Sequence, residues 1–200
     1  MYALDDRTVV RRYRRRDVPD EEVAIIQHVR AHGFPTPAVI GVHGRDLILE
    51  RVDATSMRTD LERDGSLLRH HAAVLAELHI RLHAIAAPPW LARIGAGDAV
   101  LHLDLHPENV LMDARGPQLI DWANAGRGDA ADDVAQTVVI IAGSIVPEPL
   151  ASAAAAFVDA FLEAFDRDEV RRHLGAAIAR RLADPNMTEP EREAARRVTI

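Results

Sequence analysis

The feature that most constrains this fold is the order of two hydrophobic patterns along the chain. Short apolar stretches typical of strands lie at residues 2–4, 8–13, 38–42 and 47–52. One helix with acidic residues in its first turn separates them, starting near Asp17 and Pro19 and ending at Gly33. From Ala54 onward, the periodicity of amphipathic helices dominates. Because a small sheet precedes a larger helical part, the sequence predicts an α+β chain with two lobes.

Short strands interrupt the helical part once. A long amphipathic helix is predicted for residues 67–85 and ends before Pro88 and Pro89. Three strands follow, at 100–103, 110–112 and 118–120. Helices resume at about 130–146, 149–165 and 169–182. We therefore expect a front lobe at 1–52, with a hinge at its end, and a helical back lobe at 53–200.

The composition is that of a globular protein and excludes several classes. With 200 residues, 48% hydrophobic and 28% charged, the chain is able to bury a core and does not resemble a disordered protein. The absence of cysteine excludes disulfides and thiolate metal sites. No apolar stretch is long enough to span a bilayer, and no secretory signal is visible. We therefore expect no membrane partner and a cytoplasmic protein, while the oligomeric state stays open.

The charged residues further restrict which classes of binding partner the protein suits. A formal net charge of -7 argues against a nucleic-acid binder, although residues 11–16 hold five arginines around Tyr13. Strand alternation places Arg11 on the face of Val9 and Tyr13, so we interpret the run as a solvated strand end with one cleft-facing arginine. All 24 basic residues are arginine, which excludes Schiff-base chemistry and a lysine phosphate contact.

The stretch from His102 to Asp121 carries the chemistry. Its sequence is HLDLHPEN at 102–109, then VLM at 110–112, then LIDW at 119–122. Asp104 lies in a loop after an apolar strand, Asn109 closes that loop, and Asp121 follows a strand that returns antiparallel. An amide oxygen and a carboxylate facing one cleft suit Mg²⁺ with phosphates. The remaining carboxylate, Asp104, is placed to accept a proton from an attacking hydroxyl.

This stretch resembles the catalytic loop of aminoglycoside-phosphotransferase-like kinases. HLDLHPEN matches their HxDxxxxN pattern, and LIDW is similar to their counterpart of the protein-kinase DFG segment. Residues 128–135, GDAADDVA, resemble the GDPxxDLA segment that follows in that family. The resemblance implies a protein-kinase-like fold with a shortened front lobe. It also implies a phosphotransferase with an alcohol acceptor that uses Mg²⁺ with ATP or GTP on a small hydroxyl-bearing substrate.

The resemblance also implies roles for residues of the catalytic loop. Asp104 would be the catalytic base, and Asn109 and Asp121 would hold Mg²⁺. His106 would lie near the phosphates, and Asp133 would brace the loop. Acids of the back lobe would suit a cationic acceptor such as an aminoglycoside; they are Asp129, Asp132, Asp133 and Glu148.

The front lobe would bind the nucleotide. The hinge would meet adenine through backbone hydrogen bonds of Glu50, Arg51 and Val52. Glu22 on the first helix would pair with a strand cation, which is normally a lysine. Here that cation is an arginine, Arg11, with Arg12 as the neighbouring candidate.

Two departures from the family pattern keep an alternative open. The strand lysine is replaced by arginine, and no glycine occurs before Gly33, so the glycine-rich phosphate loop is missing from the front strands. The alternative is a catalytically impaired pseudokinase or a nucleotide-binding regulatory module. A metal site at His79 and His83, spaced four residues apart, is a weaker possibility than core packing of these side chains.

Overall fold

The computed structural model describes residues 2–148 and 150–200. Its front part is a four-stranded antiparallel sheet in the order β1-β2-β4-β3. The strands are β1 (Tyr2–Ala3), β2 (Thr8–Arg12), β3 (Val39–His43) and β4 (Asp46–Glu50). Val9 pairs with Leu49 and Arg11 with Leu47. Because residues two apart share a face, Val9 and Arg11 lie on the same side of the sheet.

One helix, α1 (Asp20–Ala31), accompanies this sheet. Pro19 precedes it in an extended conformation, and three acids in its first turn favour the positive end of the helix dipole. Glu22 is buried in the same stripe as Ile25, Ile26 and Val29. Gly33, with φ of +76°, follows the helix in the left-handed region that glycine adopts without strain.

Six helices form the back part of the described chain. They are α2 (Met57–Arg63), α3 (Leu68–His83), α4 (Ala130–Ala142), α5 (Leu150–Leu162), α6 (Arg167–Leu182) and α7 (Glu189–Arg196). Helix α4 is central, since nearly all its side chains are buried and it packs against α3, α5, α6 and α7. Among the residues described, no helix has both the length and the apolar character needed to cross a bilayer.

Two short antiparallel ribbons lie between the helices. In one, β5 (Ala99–Leu101) pairs with β8 (Gly126–Gly128). In the other, β6 (Val110–Asp113) pairs with β7 (Gly116–Leu119). The second ribbon is the predicted antiparallel return between Asn109 and Asp121. The two loops that leave β5 and β7 therefore come together, which places the motif residues at one end of the ribbons.

The α+β prediction is confirmed, and most elements lie within a few residues of their expected bounds. Helix α4 ends at Ala142 rather than near 146, because Gly143, a poor helix former, follows it and Pro147 disfavours helical backbone at Val146. The helix expected from Pro149 starts at Leu150, and Pro149 itself lies outside the described residues. Strand β8 was not predicted, since its sequence Gly-Arg-Gly carries no strand signal.

Candidate active site

The loop after β5 is held in place by one buried carboxylate from the start of α4. Asp133 Oδ2 accepts a hydrogen bond from His102 N at 3.0 Å, and its Oδ1 accepts one from Leu103 N at 2.7 Å. Leu103 has φ of +63°, a conformation that costs a residue of this type about 1–3 kcal/mol. The paired bonds to Asp133 stabilise this strained turn, which fixes the position of the next residue, Asp104.

Histidines of α3 complete the support under the loop. His83 Nε2 donates to Asp133 Oδ2 at 3.0 Å. Burial alone would raise the pKa of Asp133, but the hydrogen bonds and nearby charge of His83 outweigh it and hold that pKa well below its usual range. His79 Nε2 lies 2.9 Å from Thr137 Oγ1, whose hydroxyl donates to the carbonyl of Leu105 at 2.6 Å. Burial lowers the pKa of His79 to about 3, so its ring is neutral.

His79, His83 and Asp133 also place potential metal-ligand atoms within 4.8 Å of one another. However, the Nε2 atoms of both histidines and both carboxylate oxygens already take part in the hydrogen bonds just described. We therefore interpret this cluster as a support for the loop.

Asp104 and its two predicted neighbours form a compact group. Asn109 Nδ2 donates to the backbone oxygen of Asp104 at 2.9 Å and to its Oδ2 at 3.1 Å. His106 Nε2 lies 3.5 Å from Asp104 Oδ1 and 3.3 Å from Asn109 Nδ2. Burial alone would raise the pKa of Asp104, but the hydrogen bonds from His106 and Asn109 and the neighbouring imidazoles lower it overall. The carboxylate is therefore ionised at neutral pH.

His102 connects the Asp104 loop to the Asp121 segment. Its Nδ1 accepts a hydrogen bond from Asp104 N at 3.3 Å, and its Nε2 donates to the carbonyl of Ile120 at 3.2 Å. Burial lowers the pKa of this imidazole, which favours the neutral form that both contacts need. Asn109 and Ile120 are also joined by a backbone hydrogen bond of 2.9 Å. Asp104, Asn109 and Asp121 therefore lie along one seam.

Arg11 bridges the front sheet to this seam. Its Nη1 lies 2.6 Å from Asp121 Oδ1 and 3.1 Å from Glu22 Oε1. Arg12 instead pairs with Asp46 at 2.6 Å on the exposed side of β2. Of the two candidates for the strand cation, the structure thus brings Arg11 to the cleft. Burial raises the pKa of Glu22, and the charge of Arg11 opposes that shift.

The three predicted hinge residues are placed unequally. Glu50 and Val52 line a cavity between the sheet and β6, which we call the front cleft; Val9, Arg11, Leu111 and Asp121 also line it. The volume of the front cleft is about 80 Å³. Glu50 N and Arg51 N already donate to Ala38 O and Arg7 O, each at 2.8 Å. Arg51 lies outside the lining, so only part of the predicted set faces the cleft.

A second cavity lies on the other side of the catalytic loop. This rear pocket is bounded by Asp104 and His106, by Arg58 of α2, and by apolar residues of α4 and α5. Its volume is about 510 Å³. The Asp104 loop therefore borders the wide rear pocket, whereas Leu111, Asp121 and Trp122 border the narrow front cleft.

Sequence reasoning missed several contributors to the site. The positive φ of Leu103 was missed, because no local pattern signals it. The contact of His83 with Asp133 was missed because it joins residues far apart in the chain. Trp122 Nε1 donates to Thr36 Oγ1 at 3.0 Å, which ties the Asp121 segment to the front part. Asp121 itself has φ of +68°, which aspartate tolerates better than most residues.

The sequence matches the profile of a known family over most of its length. This is the APH family, described as the phosphotransferase enzyme family, and the match covers residues 1–99 and 80–173. The comparison with curated proteins finds no match to this chain.

Several solved structures share this fold, and they are described as phosphotransferases and kinases. A thermostable mutant of aminoglycoside phosphotransferase APH(4)-Ia, in ternary complex with AMP-PNP and hygromycin B, has a TM-score of 0.63 at 12% identity, covering 90% of this chain and 83% of its own. A choline/ethanolamine kinase family protein from Mesorhizobium loti has a TM-score of 0.60 at 15% identity, covering 95% and 79%. Aminoglycoside-3'-phosphotransferase of type VIII has a TM-score of 0.51 at 20% identity, covering 88% and 77%.

These comparisons confirm the predicted protein-kinase-like fold and the predicted enzyme class, and the geometry of the Asp104 loop agrees with both. The chain belongs to the phosphotransferase enzyme family.

Proposed function

We propose that this phosphotransferase transfers the γ-phosphoryl group of ATP or GTP to a hydroxyl group of a small molecule, with Mg²⁺. The observation that carries the proposal is the convergence of Asp104, Asn109 and Asp121 on one seam, reached from the front by Arg11. Binding of AMP-PNP by the related aminoglycoside phosphotransferase supports ATP as the donor.

The residues at the seam fit a divalent cation. The Asn109 amide nitrogen is used to donate to Asp104, which leaves its carbonyl oxygen as a ligand. Asp121 offers a carboxylate that already forms an ion pair with a cation, the guanidinium of Arg11. Hard oxygen donors of this kind suit Mg²⁺, which would neutralise charge on the phosphates when bound.

The nucleotide would occupy the front cleft. Val9 and Leu49 of the sheet and Leu111 of β6 offer apolar surfaces for a base. The backbone of Val52 is the hinge position left for hydrogen bonds, because the amides of Glu50 and Arg51 are engaged. Arg11, oriented by Glu22, would contact phosphate oxygens. In this proposal the front lobe, residues 1–52, binds the donor and the back lobe, residues 53–200, binds the acceptor.

The transfer step follows from the position of Asp104. The acceptor hydroxyl would enter from the rear pocket, and its oxygen would form a bond to the γ-phosphorus as the bond to the β–γ bridging oxygen breaks. Asp104 would accept the hydroxyl proton, and a nucleoside diphosphate would leave. Catalysis consists mainly of positioning and of neutralising charge.

The test measures nucleotide binding through the change in melting temperature, with and without Mg²⁺. ATP or GTP with Mg²⁺ should raise the melting temperature by mass action, and Asp121→Ala should remove the metal-dependent part of the shift. Glu148→Ala, at an exposed position outside the front cleft, is the matched control and should keep the full shift. An equal shift without Mg²⁺ would contradict the roles of Asn109 and Asp121.

A second candidate function is a nucleotide-binding regulatory module without turnover. The contact of Arg11 with Asp121 and the small volume of the front cleft favour it. Metal-dependent nucleotide binding without nucleoside diphosphate release, across a panel of hydroxyl substrates that includes aminoglycosides, would select this alternative. Release that depends on Asp104 would select the enzyme.

A further inference from the structure

The rear pocket differs from the front cleft in both size and chemistry. Its volume of about 510 Å³ lies within the range of roughly 300–1,000 Å³ that is usual for small-molecule sites. It begins at the carboxylate of Asp104 and continues along the end of α4 and the first turns of α5. A molecule held here is therefore in contact with the residue to which we assign the acceptor hydroxyl.

The far wall of this pocket is apolar over a long stretch. Eight residues form it: Ile140, Ile141, Ile145, Val146, Leu150, Ala153, Ala154 and Phe157. Two of these side chains are exposed although they are large and hydrophobic: Ile145 is 57% exposed and Leu150 is 41% exposed. A contiguous exposed apolar surface beside a catalytic loop is typical of a ligand-binding wall.

The charged residues of the rear pocket already have partners, including Arg181, whose Nη1 lies 3.6 Å from Asp184 Oδ2. Arg58 Nε donates to Glu62 at 2.9 Å, and its guanidinium also contacts Glu108. Glu191 Oε2 accepts from both Thr188 N and Thr188 Oγ1 at 2.7 Å, and these bonds lower the pKa of Glu191. Each carboxylate that lines the pocket within the described chain therefore already has a hydrogen-bond or ion-pair partner, which weakens its attraction for a polycation.

The acids that suggested a cationic acceptor lie elsewhere. Asp129 caps α4 through Ala131 N at 2.9 Å. Asp132 pairs with His173 at 3.2 Å, and Asp133 holds the catalytic loop. Glu148 accepts a hydrogen bond from Ser152 at 2.9 Å. These contacts give each of the four acids a role in the fold.

From this wall and these pairings, we infer that the acceptor is an amphiphilic alcohol. It presents a hydroxyl to Asp104 and lays an apolar body without multiple positive charges along the wall from Ile140 to Phe157. The inference rests on the proposed function, because it assigns the acceptor class for the same transfer reaction.

The test uses ligands that share their hydroxyl groups and differ only in the apolar part. Methyl, hexyl and octyl β-D-glucosides form such a series, used below their aggregation concentrations, and kanamycin serves as the polycation. Binding is followed by calorimetry in the presence of Mg²⁺ and AMP-PNP. We expect the affinity to rise at least tenfold from the methyl to the octyl glucoside and to exceed that for kanamycin.

Variants locate the effect in the pocket. Ile145→Asp and Leu150→Asp change exposed positions, and each should remove most of the gain with chain length. Ile80→Asp is the matched control, since Ile80 is 48% exposed on α3 and outside the pocket lining. Equal affinities across the series, tighter binding of kanamycin, or an equal loss in Ile80→Asp would each overturn the inference.

A separate measurement distinguishes its failure from failure of the proposed function. The Mg²⁺-dependent nucleotide shift that Asp121→Ala removes does not involve the rear pocket. If that shift is present and the glucoside series is flat, only the acceptor class is wrong. If the shift is absent, the proposed function fails as well.

Discussion

The front cleft measures about 80 Å³ and is crossed by an ion pair, whereas the rear pocket measures about 510 Å³ and lies open along an apolar wall. The front cleft ends at Asp121 and the rear pocket at Asp104, two segments that His102 joins through hydrogen bonds to Asp104 N and to the carbonyl of Ile120. Under the proposed function, this difference means that the acceptor site is formed in advance. The donor site, in contrast, would exchange an internal contact, Arg11 with Asp121, for contacts with phosphate.

The largest expected effect is the loss of turnover on substitution of Asp104, which lines the rear pocket but not the front cleft. Asp104→Asn keeps the size of the side chain but loses the proton acceptor, so turnover should fall by about 10²–10⁴-fold. Nucleotide binding in the front cleft should be unchanged, because Asp104 is not part of its lining. Steady-state rates and the nucleotide-induced melting shift provide the two measurements. Unchanged turnover in this variant would refute the assignment of the base.

The next effect removes the support that both cavities share. Asp133→Asn leaves backbone amides of the loop and His83 without their carboxylate, and loss of one partner in such a buried pair typically costs about 3–5 kcal/mol. We expect a loss of this size in the free energy of unfolding, measured in urea, together with loss of turnover. Asp132→Asn, beside it but paired with His173 across the other face of α4, should cost less.

A smaller effect is confined to the front cleft. Arg11→Ala should weaken nucleotide binding by about tenfold. One charge-assisted contact contributes about 1.5–3 kcal/mol, but binding of phosphate by Arg11 would also break its existing ion pair with Asp121, which reduces the net gain. The KM of the acceptor should not change. Arg12→Ala, which loses only the exposed pair with Asp46, should bind nucleotide within about twofold of the unaltered protein. Equal losses in the two variants would show that Arg11 has no special position.

The last effect appears only on acidification. The pKa of His79 is lowered from 6.5 to about 3 in the fold, so the unfolded chain binds its proton first and stability falls as the pH drops from 6.5 toward 3. The slope for one such proton is at most about 1.4 kcal/mol per pH unit. His79→Gln should flatten this slope in urea titrations, whereas His70→Gln, at an exposed position on the same helix, should not. A slope that survives in His79→Gln would assign the acid sensitivity to other groups.

The sequence predicted the parts of the site that are local. Asp104, Asn109 and Asp121 stand at fixed spacings around short strands, so their convergence follows from the antiparallel return of β7 on β6. Contacts between distant segments could not be read in this way. Strand alternation favoured Arg11 as the cleft-facing arginine, but its contact with Asp121 joins residues 110 apart in the chain, which no local pattern shows.

The same limit applies to the acceptor site. The acids of the back lobe suggested a cationic ligand, but each of them has a partner within the fold, such as His173, whose Nδ1 lies 3.2 Å from Asp132. The apolar wall was hidden because the sequence of α5 is equally consistent with core packing. Only the end of α4 at Ala142 opens the space that exposes Ile145 and Leu150.

The arginine that reaches Asp121 also changes how this protein responds to chemical labelling. A guanidinium has no free electron pair at neutral pH, unlike an amine, and it does not react with acylating reagents under conditions that modify lysine. Acyl-phosphate nucleotide probes, which mark nucleotide sites by transferring their acyl group to a nearby amine, would therefore leave this front cleft unmarked even when it is filled.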